Sequence, residues 1–321
     1  MRKSISVILV IVLLLSLCPT FAYAAEAPEI INGYYQIGTA DDLMWFRDHV
    51  NNTANKGASA LLTADIDLSG SEWTAGISGF SGVFNGQGHI ISGFSLTQTN
   101  AATGAGYALF AKTTTAARIL NVGLDAASVT AYKKARRGYI DIQTAALVGI
   151  NNGGIFNCFV SNSTVTVRSK STPKSGVLCG SNAGSIENCF VINSEVLDKS
   201  NKTHLGGIAG ENTGTVKSVY SVNVRISTTS TANIHPIATG SIENAYYEQI
   251  QDDSRTFTGG EKKEKEWFLS DDAIDALGNK YFSKDTNTVN NGYPVLTFYG
   301  GSSSAEVDKR KLKEVLDALP T

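Results

Sequence analysis

The chain has 321 residues, 27 Lys and Arg against 29 Asp and Glu, and a formal net charge of −2, so nothing in its overall charge argues for nucleic acid. Only 17% of the residues are charged and 31 are glycine. With Asn, Ser and Thr also abundant, this excludes a protein of long helices and suits turns and β-structure.

Arg2 and Lys3 open the chain, followed by an apolar run from Ile5 to Leu17 and the A-x-A sequence Ala22-Tyr23-Ala24. These are the parts of a secretory signal peptide over residues 1–24, cut after Ala24. The run is too short and wrongly flanked for a stable membrane span. Leu17 stands where a lipoprotein signal wants a small residue before Cys18, which argues against lipidation. Losing Arg2 and Lys3 and no acid moves the net charge from −2 to −4. No later stretch is long and apolar enough to cross a bilayer, so an exported chain without a transmembrane segment is expected.

Residues 25–89 read as an N-terminal cap and entry strands. Thr39 to Val50 is predicted to be helical, with Thr39 capped by Asp42 three residues on and Leu43, Phe46 and Val50 on one face. In "TADIDLSG", Asp65 and Asp67 straddle Ile66 and so point the same way on a strand. Turn capping is their first reading and a calcium site the second.

Residues 90–247 carry a repeat. "LVGINNGGIFNCFV" (147–160), "LCGSNAGSIENCFV" (178–191) and "IAGENTGTVKSVYS" (208–221) are near-copies of one phrase. Anchored on the apolar residue after the glycine turn, they align Ile155, Ile186 and Val216; weaker copies add Ile90, Ile119 and Ile242. Intervals of 26 to 36 residues signal stacked units, each too small to bury its own apolar face. Short β-type segments such as "STVTVR" (163–168) and "SVNVRIS" (221–227) lie between the anchors, with no amphipathic helical stripe. An all-β fold follows, a parallel β-solenoid of about six coils with rungs stacked ~4.8 Å apart. Gly149, Gly180 and Gly210 then sit at one corner, where positive φ or close backbone approach is needed. Asn151, Asn182 and Asn212 stack as an amide ladder. Cys158 and Cys189 fall on adjacent coils with Val219 in their column. A small buried hydrophobe is favoured there over a redox pair, and a disulfide stays open. Three cysteines after processing, an odd count, argue against a disulfide framework.

The phrase "G-x-N-x-G-x-I-x-N-C" resembles the GLUG repeat of bacterial surface proteins, and is similar to repeats upstream of some immunoglobulin A-cleaving metallopeptidases. "YYQIGTADDLMWFRDHV", "LLTADIDLSGSEW" and "FSGVFNGQGHIISGFSL" resemble the entry segment of such proteins, and "NNGYPVLTFYG" (290–300) their exit segment. The resemblance spans roughly residues 34–299. It implies a right-handed parallel β-helix at the cell surface, acting in adhesion or recognition. It implies no catalytic residue: the H-E-x-x-H of the metallopeptidases is absent.

The chain offers no catalytic constellation and no cofactor motif. Glu187 and Glu243 share one repeat position, but Lys217 stands between them, which reads as a solvated charge ladder. The segment 13 to 19 residues after each anchor is basic in three successive repeats. Lys133, Lys134, Arg136 and Arg137, flanked by Tyr132 and Tyr139, follow Ile119. Arg168, Lys170 and Lys174 follow Ile155, and Lys199 and Lys202 follow Ile186. Stacking would gather these cations on one edge, suited to an anionic polysaccharide, a teichoic acid or a host surface ligand. The plainer reading is that charged loops discourage sheet-to-sheet aggregation.

Residues 248–300 read as a C-terminal cap, with Ser270 opening a short helix whose Ile274 and Leu277 face inward before Gly278. Residues 301–321 read as a linker and an amphipathic helix bearing Leu312, Val315 or Leu316, and Leu319 on one side. This tail resembles the start of a FIVAR-like helical module of Gram-positive surface proteins. The expected function is exported, non-enzymatic surface recognition or adhesion. A carbohydrate-active β-helix enzyme and a structural spacer of a larger surface protein are the alternatives.

Overall fold

The computed structural model describes residues 26–133, 141–169, 172–200, 203–228, 233–249 and 257–299. These residues are mostly β, and nearly all their strands pair in parallel. The exceptions are short antiparallel pairs, Ile30–Ile31 with the start of Tyr34–Ile37 and Phe282–Ser283 with Val295–Leu296.

The repeat phrases lie over one another. Phe84, Ile119, Ile155, Ile186, Val216 and Ile242 pair in that order, strand beside parallel strand. The first five are at most 1% exposed and line one core. Burying each such side chain contributes about 2 kcal/mol, which no single repeat could set against the entropy of ordering its own backbone. Ile90 is not in this column: it pairs with Gly123, one strand further along. Gly86 to His89 separate Asn85 from Ile90, whereas Asn121 and Val122 alone make the corresponding turn one rung later. The longer turn shifts the register and puts Phe84 where Ile90 is expected.

The chain passes the same places in a fixed order. After the strand Val148–Asn151 come Gly154–Phe156, Phe159–Ser161, Thr164–Arg168 and Lys174–Gly176. Cys179–Asn182 then lies back against Val148–Asn151. Gly149, Gly180 and Gly210 have ordinary negative φ, so of the two reasons foreseen for them close approach is the operative one. A Cβ on Gly180 would stand 2.6 Å from the Gly149 carbonyl oxygen and 2.9 Å from the Thr144 nitrogen.

The foreseen amide ladder is present. Thr113 Oγ1 donates to Asn151 Oδ1 at 2.9 Å, Asn151 Nδ2 to Asn182 Oδ1 and Asn182 Nδ2 to Asn212 Oδ1, both at 2.7 Å. Asn212 Nδ2 closes the row on the Thr239 carbonyl at 2.8 Å. A second buried row runs from Asn188 through Asn157 and Asn121 to Asn85, each amide donating to the next at 2.9–3.1 Å. Cys158 and Cys189 are free thiols buried on adjacent rungs; Cys179 is buried elsewhere in the core.

The helix Ala40–Asn51 covers the N-terminal end of the core. Thr39 and Asp42 form a reciprocal capping box, and Leu43, Phe46 and Val50 are fully buried. The Phe46 ring lies 6.3 and 6.1 Å from the rings of Phe80 and Phe84.

The C-terminal segment differs from its expected place at the end of the stack. Residues 264–299 lie against the outer face, over a row formed by Phe159, Phe190 and Tyr220. These rings stack almost parallel at 4.9 Å. Phe268, Leu277, Phe282, Tyr293 and Leu296 bury them, and Ile274 is half-buried against the same cluster. The helix Asp271–Leu277 does begin after Ser270 and end at Gly278, but the Ser270 hydroxyl donates back to the Trp267 carbonyl and caps no helical N–H. Residues 301–321 lie outside the described residues.

Candidate functional site

Strand alternation decides which side chains reach the surface on the basic edge. In Ser128–Tyr132, Val129 and Ala131 are buried; in Thr164–Arg168, Val165 and Val167 are. Tyr132 and Arg168 therefore face outward, and the two are in register on neighbouring rungs. The Arg168 guanidinium carbon stands 5.2 Å from the Tyr132 ring centroid. Lys133 follows Tyr132: its N–H donates to the Arg168 carbonyl at 3.0 Å and its ammonium to Asn100 Oδ1 at 2.8 Å. On the third rung Val167 pairs with Asp198, so Lys199 comes beside Arg168. Its N–H donates to the Val167 carbonyl at 3.0 Å.

Asp198, the acid beside Lys199 in the chain, makes no ion pair with this edge. It is buried, and its oxygens accept from the Ser200 N–H at 2.9 Å and the Thr228 hydroxyl at 2.8 Å. Among the described residues no carboxylate pairs with Lys133, Arg168 or Lys199. Lys174, grouped with these cations on spacing alone, is differently placed. It belongs to the next strand, opposite Gln143 and His204. Its ammonium lies 2.6 Å from Glu211 Oε2 and 3.4 Å from Asp141 Oδ2. Burial alone would lower its pKa, but the hydrogen bond to Glu211 and the two negative charges outweigh that and raise it. Lys174 thus brings its own counterions. Lys134, Arg136, Arg137, Tyr139, Lys170 and Lys202 lie outside the described residues.

The acids singled out on sequence have local employment. Asp65 Oδ1 accepts from the Ile90 N–H at 2.9 Å and lies 3.1 Å from His89 Nδ1. Asp67 Oδ1 accepts from the Ser69 N–H at 2.8 Å, and bonding to Ser69 holds its carboxyl below the usual range. Among the described residues, no three of His, Cys, Asp and Glu gather closely enough to hold a metal ion. Glu187, Lys217 and Glu243 occupy successive rungs, with Lys217 Nζ 2.8 Å from Glu243 Oε1. Their arrangement is a surface charge ladder.

One polar concavity went unread in the sequence. A groove of about 370 Å³ runs across three rungs, lined by Asn162, Asn193 and Asn223 and by Thr164, Glu195 and Arg225. The three asparagines all turn the backbone at left-handed φ of 49–50°. Each stands seven residues after its anchor, Ile155, Ile186 or Val216, a signal available to anyone aligning past the end of the repeated phrase.

Neither a protein-family model nor a curated protein sequence matches the chain. In three dimensions it is similar to the crystal structure of a "putative immunoglobulin A1 protease" from Bacteroides ovatus, with a TM-score of 0.54. The match covers 83% of this chain and 92% of that one at 20% identity, and at that identity the likeness is one of fold.

Proposed function

We propose that the chain folds as a right-handed parallel β-helix of about six coils. It is exported under the signal at residues 1–24 and serves as a non-enzymatic recognition or adhesion protein of the GLUG-repeat kind at the cell surface. Parallel pairing of equal repeat positions supports the architecture. The observation that carries the function is that Arg168 and Lys199 lie in register on neighbouring rungs, with Lys133 on the rung before, one residue past Arg168's partner Tyr132, and none of the three has a carboxylate partner among the described residues. A row of like charges across parallel strands costs stability, and an extended anionic polymer lying along the rungs would relieve that repulsion. The ligand class is an acidic glycan or a wall polymer such as a teichoic acid, held mainly by charge.

Retention of residues 25–321 on immobilised anionic polymer tests this, with retention expected to fall steeply as salt rises. Changing Lys133, Lys134, Arg136 and Arg137 together to Ser should abolish most of the retention; unchanged retention would remove the basic edge from the function. Turnover of a uronate polymer by the wild-type chain would favour a carbohydrate-active enzyme instead.

A further inference from the structure

We infer that Arg168, laid on the ring of Tyr132, is the specificity-determining residue of the basic edge and receives one forked oxyanion of the polymer, a group presenting two equivalent oxygens such as a carboxylate, sulfate or phosphodiester. The inference rests on the reading of that edge as a binding site. It goes further by separating one cation from its neighbours.

Three observations set Arg168 apart. Its guanidinium is held over an aromatic face at 5.2 Å, which attracts the cation and limits the rotamers it can adopt. A guanidinium carries its N–H pairs in one plane, in the geometry that two coplanar oxygens accept. It is exposed, and no carboxylate among the described residues occupies that fork. Lys133 and Lys199 are placed differently. Lys133 already spends one of its donors on Asn100. Lys199 is an exposed ammonium, a point charge on a flexible stem with no preferred acceptor plane. The edge thus combines one directional acceptor site with flanking charges that need only an anion nearby.

Lys in place of Arg separates direction from charge. The full chain from residue 25 would be measured against polygalacturonate, dextran sulfate and inorganic polyphosphate at fixed ionic strength, as wild type, Arg168→Lys, Arg168→Ser and Tyr132→Ala. Arg168→Lys is expected to bind at least one of the three polymers about tenfold more weakly, the loss of one charge-assisted bidentate contact. Tyr132→Ala, which keeps every charge, should weaken binding in the same direction. The polymer that shows the largest loss identifies the oxyanion. If Arg168→Lys binds all three polymers as wild type does while Arg168→Ser binds them more weakly, the edge acts by charge alone; the inference then falls and the proposed function stands. If wild type binds none of the three, both fall together. All the substituted side chains are at the surface, and coincident melting curves with wild type would exclude misfolding as the cause.

Discussion

At Asn157 the backbone turns with φ of 54°, and at Asn162 it turns again with φ of 49°. Such left-handed conformations cost most side chains roughly 1–2 kcal/mol, and Asn tolerates them because its amide bonds locally. The chain repeats both turns rung after rung, usually with Asn; Gly93 takes the second turn on one rung with φ of 67°, and two side chains without an amide take others. Ala126 occupies the second turn with φ of 50°, and Ser218 the first with φ of 51°. Ala126→Asn should therefore stabilise the fold by about 1 kcal/mol, read as a higher urea midpoint at unchanged slope. Ser218→Asn should add a similar amount by joining Asn188 to Asn244 in the amide row. The reverse experiment belongs to the other row. Asn182→Ala removes an acceptor from Asn151 Nδ2 and the donor to Asn212 Oδ1, both on buried residues, and should cost about 2–4 kcal/mol. A melting temperature unchanged by Asn182→Ala would mean that the row is decoration. The Asn151 row was legible because its residues lie inside the repeated phrase. The Asn162 row lies beyond it, where only counting from the anchors reveals the match.

Among the elements, the two ends of the chain were unequally legible. The helix Ala40–Asn51 declared itself through Thr39, Asp42 and the spacing of Leu43, Phe46 and Val50, all local features that the structure reproduces. The strap of residues 264–299 did not, because its position depends on what it covers. Phe159, Phe190 and Tyr220 are aromatic at an outward position of the repeat. Taken with Cys158 and Val160 on either side, Phe159 gives a continuous apolar run that says "buried" without saying on which face. Ile274 and Leu277 likewise announce an apolar helix face and not its destination. The hinge between strap and stack is the Tyr220 hydroxyl, which donates to the Pro294 carbonyl and accepts from Asn290 Nδ2 at 2.8 Å. Tyr220→Phe keeps the ring stack and removes one donor from the Pro294 carbonyl and one acceptor from the Asn290 amide, which still bond each other at 2.9 Å, a cost of about 1–2 kcal/mol. The loss should appear locally, as faster proteolytic nicking within 264–299 while the strand signal in circular dichroism is unchanged. Nicking rates equal to wild type would show that ring stacking alone holds the strap.

Across the whole molecule, one consequence of so much stacking is that protons are locked in. Burial pushes the thiols of Cys179 and Cys189 up, the latter further raised by Cys158 beside it, and does the same to the phenols of Tyr220, Tyr246, Tyr293 and Tyr299. For every one of these groups the folded pKa lies above the unfolded value. The unfolded chain therefore releases protons first as pH rises, and alkali favours unfolding. The stability these groups contribute is complete below about pH 8, where an unfolded thiol is still protonated. It declines from about pH 8.5 as thiols ionise in the unfolded chain and more steeply past about pH 10 as tyrosines follow. The urea midpoint of the mature chain should fall progressively from pH 8 to pH 11. Over the same range the native protein should give no reaction with a thiol reagent, and three equivalents should appear together on unfolding. One equivalent would mean that Cys158 and Cys189 are bonded to each other. A midpoint that stays flat to pH 11 would mean that these side chains reach water in the folded state, and with it that the rungs do not close over a common core.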